Sequence, residues 1–155
     1  MDNLGVIVPF YNEKNTLSKS IDRLLAENIF SQIILSDDNS NDGSEKIAQQ
    51  YEKNYENIKY IKSSTNKGKG NALNNAKNHI ATKFVVVHDA DLEYFPEDIV
   101  EMFEAAKLNP ESLIIGSRFI GNKERINIYR RTYVANKLMS LFFSYVNFCK
   151  ISDIA

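Results

Sequence analysis

The order in which apolar residues occur constrains this chain more than any other feature. Short runs rich in β-branched residues alternate with longer stretches of helical period. The runs are Leu4–Val8, Gln32–Ser36, Ile58–Ile61, Phe84–Val87 and Ser112–Ile115. Their length and their Val and Ile content predict buried strands. Between them Leu17, Ile21, Leu24 and Leu25 recur at helical spacing, and so do Ile47, Ala48, Tyr51 and Tyr55. Ala72, Leu73, Ala76 and Ile80 repeat the pattern, and Ile99, Met102, Phe103 and Ala106 follow it again. A parallel neighbour is reached only by a crossover, so alternating strands and helices predict a mostly parallel sheet with helices on both faces. The fold class is therefore α/β.

A last helix is predicted from about residue 129 to 150, after a loop at 116–128 rich in charge and glycine. It carries Val134, Leu138, Leu141, Phe142, Tyr145 and Phe148 on one side, and Met139, Phe143 and Val146 broaden the apolar arc. Two readings of that arc stand. It is an ordinary packed element, or it is a surface for homodimers or membrane adsorption. The chain divides into a core at 1–128 and this amphipathic segment at 129–155. The closing "KISDIA" reads as an interruption in mid-fold.

With 155 residues, 43% of them hydrophobic and 25% charged, the chain has the make-up of one soluble globular domain. A net charge of −1 argues against a nucleic-acid binder. The one cysteine, Cys149, excludes an internal disulfide and fits a reducing compartment. Met1 and Asp2 lead straight into a strand-like run, which is read as no secretory leader. No apolar run reaches the roughly 20 residues of a membrane span.

Ligands of open parallel sheets bind at the carboxyl ends of the strands. Polar clusters follow four of the expected strands: "VPFYNE", "SDDNSNDGS", "HDADLEY" and "GSRF". Each has a plain structural reading. Asp42 or Ser44 suits a helix cap, and the second cluster as a whole suits a turn. Asp89 and Asp91, two apart, would point the same way in an extended segment and share a hard cation, with Glu93 next along. They equally suit a solvated turn ahead of a helix opened by Pro96. "NKGKGNA" at 66–72 combines glycines and lysines with a helix start, as phosphate sites do. It lacks the P-loop spacing, and solvated lysines around a cap explain it as well. His79 and His88 read as structural residues, with no zinc spacing near them.

Taken together, "VIVPFYNE", "IILSDDNSNDGS", "NKGKGNAL", "VVVHDADLEYFPEDI" and "IIGSRF" resemble the family 2 nucleotide-sugar glycosyltransferases of GT-A fold, a Rossmann-like architecture. The "DADLEY" form looks most like the branch that transfers sugar to polyprenyl or dolichyl phosphate. The resemblance implies a donor pocket of Pro9, Tyr11, Glu13, Ser36, Asp38, Lys69, Asp89 and Ala90. It implies Mg²⁺ or Mn²⁺ on Asp89, Asp91 and Glu93, and a catalytic set of Asp91, Arg118 and Arg131, the arginines meeting phosphate. The donor would be a UDP- or GDP-hexose. The acceptor would be a lipid phosphate, at the cytoplasmic face of the membrane. A saccharide hydroxyl acceptor, a donor-binding-only fragment and a nucleotidyltransferase are the alternatives. The last would want a glycine-rich, arginine-bearing loop after the first strand, which "VPFYNE" does not provide.

Overall fold

The computed structural model of the protein describes residues 3–116 and 130–147, and for 130–136 and 147 it describes the backbone alone. Two compact units form, Met1–Ser112 and Leu113–Ala155.

In the first unit the alternation predicted from the apolar runs is realised as β1 (Leu4–Phe10), α1 (Leu17–Ala26), β2 (Phe30–Asp37), α2 (Ser44–Asn54), β3 (Ile58–Lys62), α3 (Lys69–Lys77), β4 (Phe84–Val87) and α4 (Glu97–Leu108). The sheet order is β3-β2-β1-β4 and every pairing is parallel. The period-2 alternation of the strands sorts their side chains onto two faces. Val6, Val8 and Phe10 of β1 join Ile33 and Leu35 of β2 in a core covered by Leu17, Ile21 and Leu24 of α1, Ala48 of α2 and Ile99 of α4. Ile7 and Ile34 point the other way, onto Ala76 of α3. The central pair β1–β2 is thus buried on both faces, as parallel strands require. At Gly5 a methyl group would stand 2.5 Å from the Thr82 hydroxyl, so a side chain there would force Thr82 to shift.

The fifth predicted strand does not form. Residues 113–116 carry no strand or bridge assignment, and Leu113 and Ile115 are 85% and 51% exposed. A strand exists through its ladder partner, and an apolar run alone does not supply one. β4 accordingly keeps one edge without a strand neighbour among the described residues, and Val85 and Val87 are about half exposed on its outer face.

In the second unit α5 spans Arg130–Asn147. Leu138, Leu141, Phe142 and Tyr145 are all exposed along it. Among the described residues no helix is long and apolar enough to cross a membrane. Residues 117–128 of the predicted loop at 116–128, and Cys149, lie outside the described residues.

Candidate functional site

A cleft of about 320 Å³ opens at the carboxyl ends of the strands, at the small end of ligand-pocket sizes. β1 delivers Pro9 to it and the turn beyond delivers Tyr11 and Glu13. Asp38 follows directly on β2, α3 begins with Lys69, and the loop after β4 adds Asp89, Ala90 and Asp91. All of these are residues that the sequence singles out. Phe10, Asn66, Gly68 and Ala72 also line the cleft and were missed. The glycine–lysine run around position 68 was the available signal.

The floor is stiff because the strand ends are tied. Phe10 stands opposite Asp37 in the ladder, and the Asp38 amide donates to the Phe10 carbonyl at 2.9 Å. Ile33, Leu35 and Asp37 are in phase, so Asp37 turns inward and is fully buried. It accepts hydrogen bonds from the Ser40 amide at 2.7 Å and the Tyr60 hydroxyl at 2.8 Å. Burial, and the hydrogen bond to Asp37, raise the pKa of Tyr60 well above the ordinary phenol value. Asp37 therefore supports the site from below.

Asp38 is also buried, at 2% exposure, and its carboxylate closes one wall. It accepts from the Lys67 amide at 3.0 Å, the Gly68 amide and the Asn71 side-chain amide at 3.3 Å. Gly68 takes φ 89 at this point, which a side chain would oppose. The start of α3 is thereby fastened by a residue about 30 positions earlier. The amides of Lys67 and Gly68 serve Asp38. Ser36 does not reach the cleft: its buried hydroxyl donates to the Ala72 carbonyl at 2.8 Å and holds α3 down.

The acidic stretch departs from the extended form that its spacing suggests. β4 ends at Val87, Ala90 and Asp91 sit in a turn, and Leu92 takes the left-handed conformation at φ 67. Asp89 and Asp91 still share the cleft, but Glu93 does not line it. The Glu93 amide donates to Asp91 at 3.0 Å. Among the described residues no three His, Cys, Asp or Glu side chains converge as a metal site. Two carboxylates plus substrate phosphates is an ordinary donor set for Mg²⁺, so the residues present fit such an ion. Lys69 stands on Asp89, its ammonium 2.7 Å from each carboxylate oxygen. His88 is 5% exposed, and burial holds its pKa below the ordinary value although Asp89 and Asp91 oppose this. Arg118 lies outside the described residues, as does the side chain of Arg131 in the first turn of α5.

Asp42 ties the far rim. It accepts from the Ser44 amide at 2.9 Å, the Ser44 hydroxyl and the Lys14 amide at 3.0 Å. Burial pulls its pKa up, but these donors outweigh burial and hold the carboxyl below the ordinary range. The folded state then binds fewer protons than the unfolded one, so the contribution is complete above pH 3.8 and is lost as pH falls through the folded pKa. Gly43, not Asp42, is the N-cap of α2, so Asp42→Ala is expected to cost about 1 kcal/mol at pH 7, the net worth of ordinary side-chain hydrogen bonds. Urea unfolding at pH 7 and pH 3 should show the difference from the parent shrinking in acid.

A parallel α/β sheet with a carboxylate-bearing cleft at its strand ends, built from these segments, defines the GT-A glycosyltransferase class. The chain belongs to glycosyl transferase family 2, whose family model matches residues 5–154. It is 31% identical over 140 residues to a dolichol-phosphate mannosyltransferase of Pyrococcus furiosus, covering 88% of this chain and 39% of that protein. It is 28% identical over 128 residues to a poly-beta-1,6-N-acetyl-D-glucosamine synthase of Staphylococcus epidermidis, covering 81% of this chain and 31% of the synthase. Among solved structures it resembles the mannosyltransferase PcManGT of Pyrobaculum calidifontis in complex with GDP-Man and Mn²⁺. The TM-score is 0.54 at 26% identity, over 57% of this chain and 27% of that one. The chain thus spans well under half the length of these relatives.

Proposed function

We propose that this chain forms the donor-binding part of an inverting glycosyltransferase that moves a hexose from a nucleotide-diphosphate sugar to a polyprenyl or dolichyl phosphate. One observation carries the reading. A single cleft gathers Asp38 from the end of β2, Lys69 from the start of α3, and Asp89 and Asp91 from the loop after β4. Pro9, Tyr11 and Glu13 would face the nucleoside. Asp89 and Asp91 would hold Mg²⁺ or Mn²⁺, which when bound supplies positive charge to the departing diphosphate. The similarity to the dolichol-phosphate mannosyltransferase supports the lipid-phosphate acceptor. The exposed apolar face of α5 supports contact with the cytoplasmic face of the membrane that carries it.

The step is one displacement. An acceptor phosphate oxygen forms a bond to the anomeric carbon as the carbon–oxygen bond to the nucleoside diphosphate breaks, inverting that centre. The attacking oxygen is already ionised at neutral pH, so no general base is required. A saccharide hydroxyl acceptor is the second reading, favoured by the similarity to the poly-N-acetylglucosamine synthase. That acceptor would need a base to take its proton.

Calorimetric titration of the chain with UDP and with GDP, each with and without Mn²⁺, tests the donor site. Mn²⁺-dependent binding of one nucleotide is the expected result. Binding of neither would overturn the assignment.

A further inference from the structure

The most unusual contact in the cleft is the one between Lys69 and Asp89. An ammonium group already occupies the carboxylate that a metal ion would need, and it engages both oxygens at 2.7 Å. Asp38 places it there: by clamping the amides of Lys67 and Gly68 it fixes the first turn of α3, from which Lys69 projects. A divalent ion bound to the same carboxylate would meet a second positive charge at close range. Lys69 is 55% exposed on a flexible four-carbon stem, so its ammonium can leave Asp89 without disturbing the backbone. A diphosphate arriving in the cleft offers that ammonium another anionic partner.

We infer that Lys69 and a divalent cation exchange places on Asp89, and that the diphosphate of the nucleotide draws Lys69 away. This rests on the donor-site reading above and adds an order to it. Without nucleotide, Lys69 opposes cation binding. With nucleotide, the same residue strengthens the ternary complex. Lys69 is therefore a positioning residue that makes the site take cation and nucleotide together.

The test is the sign of its effect under the two conditions. Calorimetry of the full chain with Mn²⁺ alone should show Lys69→Met binding the ion about threefold more tightly than the parent, the worth of a partly exposed ion pair. In saturating Mn²⁺ the same variant should bind UDP or GDP about tenfold more weakly, through the loss of a charged donor. Lys69→Arg keeps the pair and should match the parent with Mn²⁺ alone. A merely structural role would weaken both measurements in Lys69→Met. If Mn²⁺ alone binds Lys69→Met no better than the parent while nucleotide binding in Mn²⁺ persists in the parent, the exchange is wrong and the donor site stands. If the parent binds neither Mn²⁺ nor nucleotide, both are wrong.

Discussion

Asp91→Ala is expected to abolish Mn²⁺-dependent nucleotide binding while leaving the fold in place. Asp91 is exposed, and the bond it makes to the Glu93 amide is local to its turn. Its loss should change the unfolding free energy by about 0.5 kcal/mol or less, as for ordinary surface positions. Its effect on the ion should be far larger. Residues that only support a metal ligand contribute roughly tenfold to hundredfold in affinity, and a carboxylate that itself holds the ion contributes no less. Parallel urea melts and titrations with UDP or GDP plus Mn²⁺ would separate the two effects. A variant that bound as well as the parent would remove Asp91 from the site.

Asp38→Ala should fail differently, losing stability and binding together. Both carboxylate oxygens are occupied by donors of the segment at 67–71. Alanine leaves two backbone amides without their acceptor, while the Asn71 side-chain amide keeps Ser63, and the loss should cost about 2 kcal/mol. The start of α3 then loses its anchor, Lys69 loses its aim, and nucleotide affinity falls with them. Asp38→Asn keeps the volume and one carbonyl acceptor, so it should fall between alanine and the parent in a urea melt. Hydrogen exchange would add a local readout, with the amides of Lys67 and Gly68 exchanging faster in the alanine variant. Unchanged exchange at those two amides would contradict the clamp.

Much of the fold was legible because its signals are local. The β-branched runs became β1 to β4, and the helical spacings became α1 to α4. The run at Ser112–Ile115 shows the limit: its composition suits a strand, yet strandedness depends on a partner that composition does not specify. The acidic turn failed for another reason. Leucine seldom takes positive φ, so no propensity announces the bend at Leu92 that separates Glu93 from Asp89 and Asp91. The site residues were legible as a set of strand ends, but their mutual contacts were not. Asp38 meets the start of α3, and Lys69 meets Asp89, across about 20 to 30 residues of chain. Only the inward turn of Asp37 was there to be read, from its phase with Ile33 and Leu35.

The cleft has one wall of a different kind from its floor. The floor is backbone ladder between β1 and β2, whose hydrogen bonds any side chain would permit. The wall at 66–72 is held by side chains from outside it, chiefly the Asp38 carboxylate and the Ser36 hydroxyl. Substitutions in that segment could therefore reshape what the cleft admits while the sheet beneath it stays the same. Such a division lets a lineage explore new donors through a handful of loop residues, with little risk to folding.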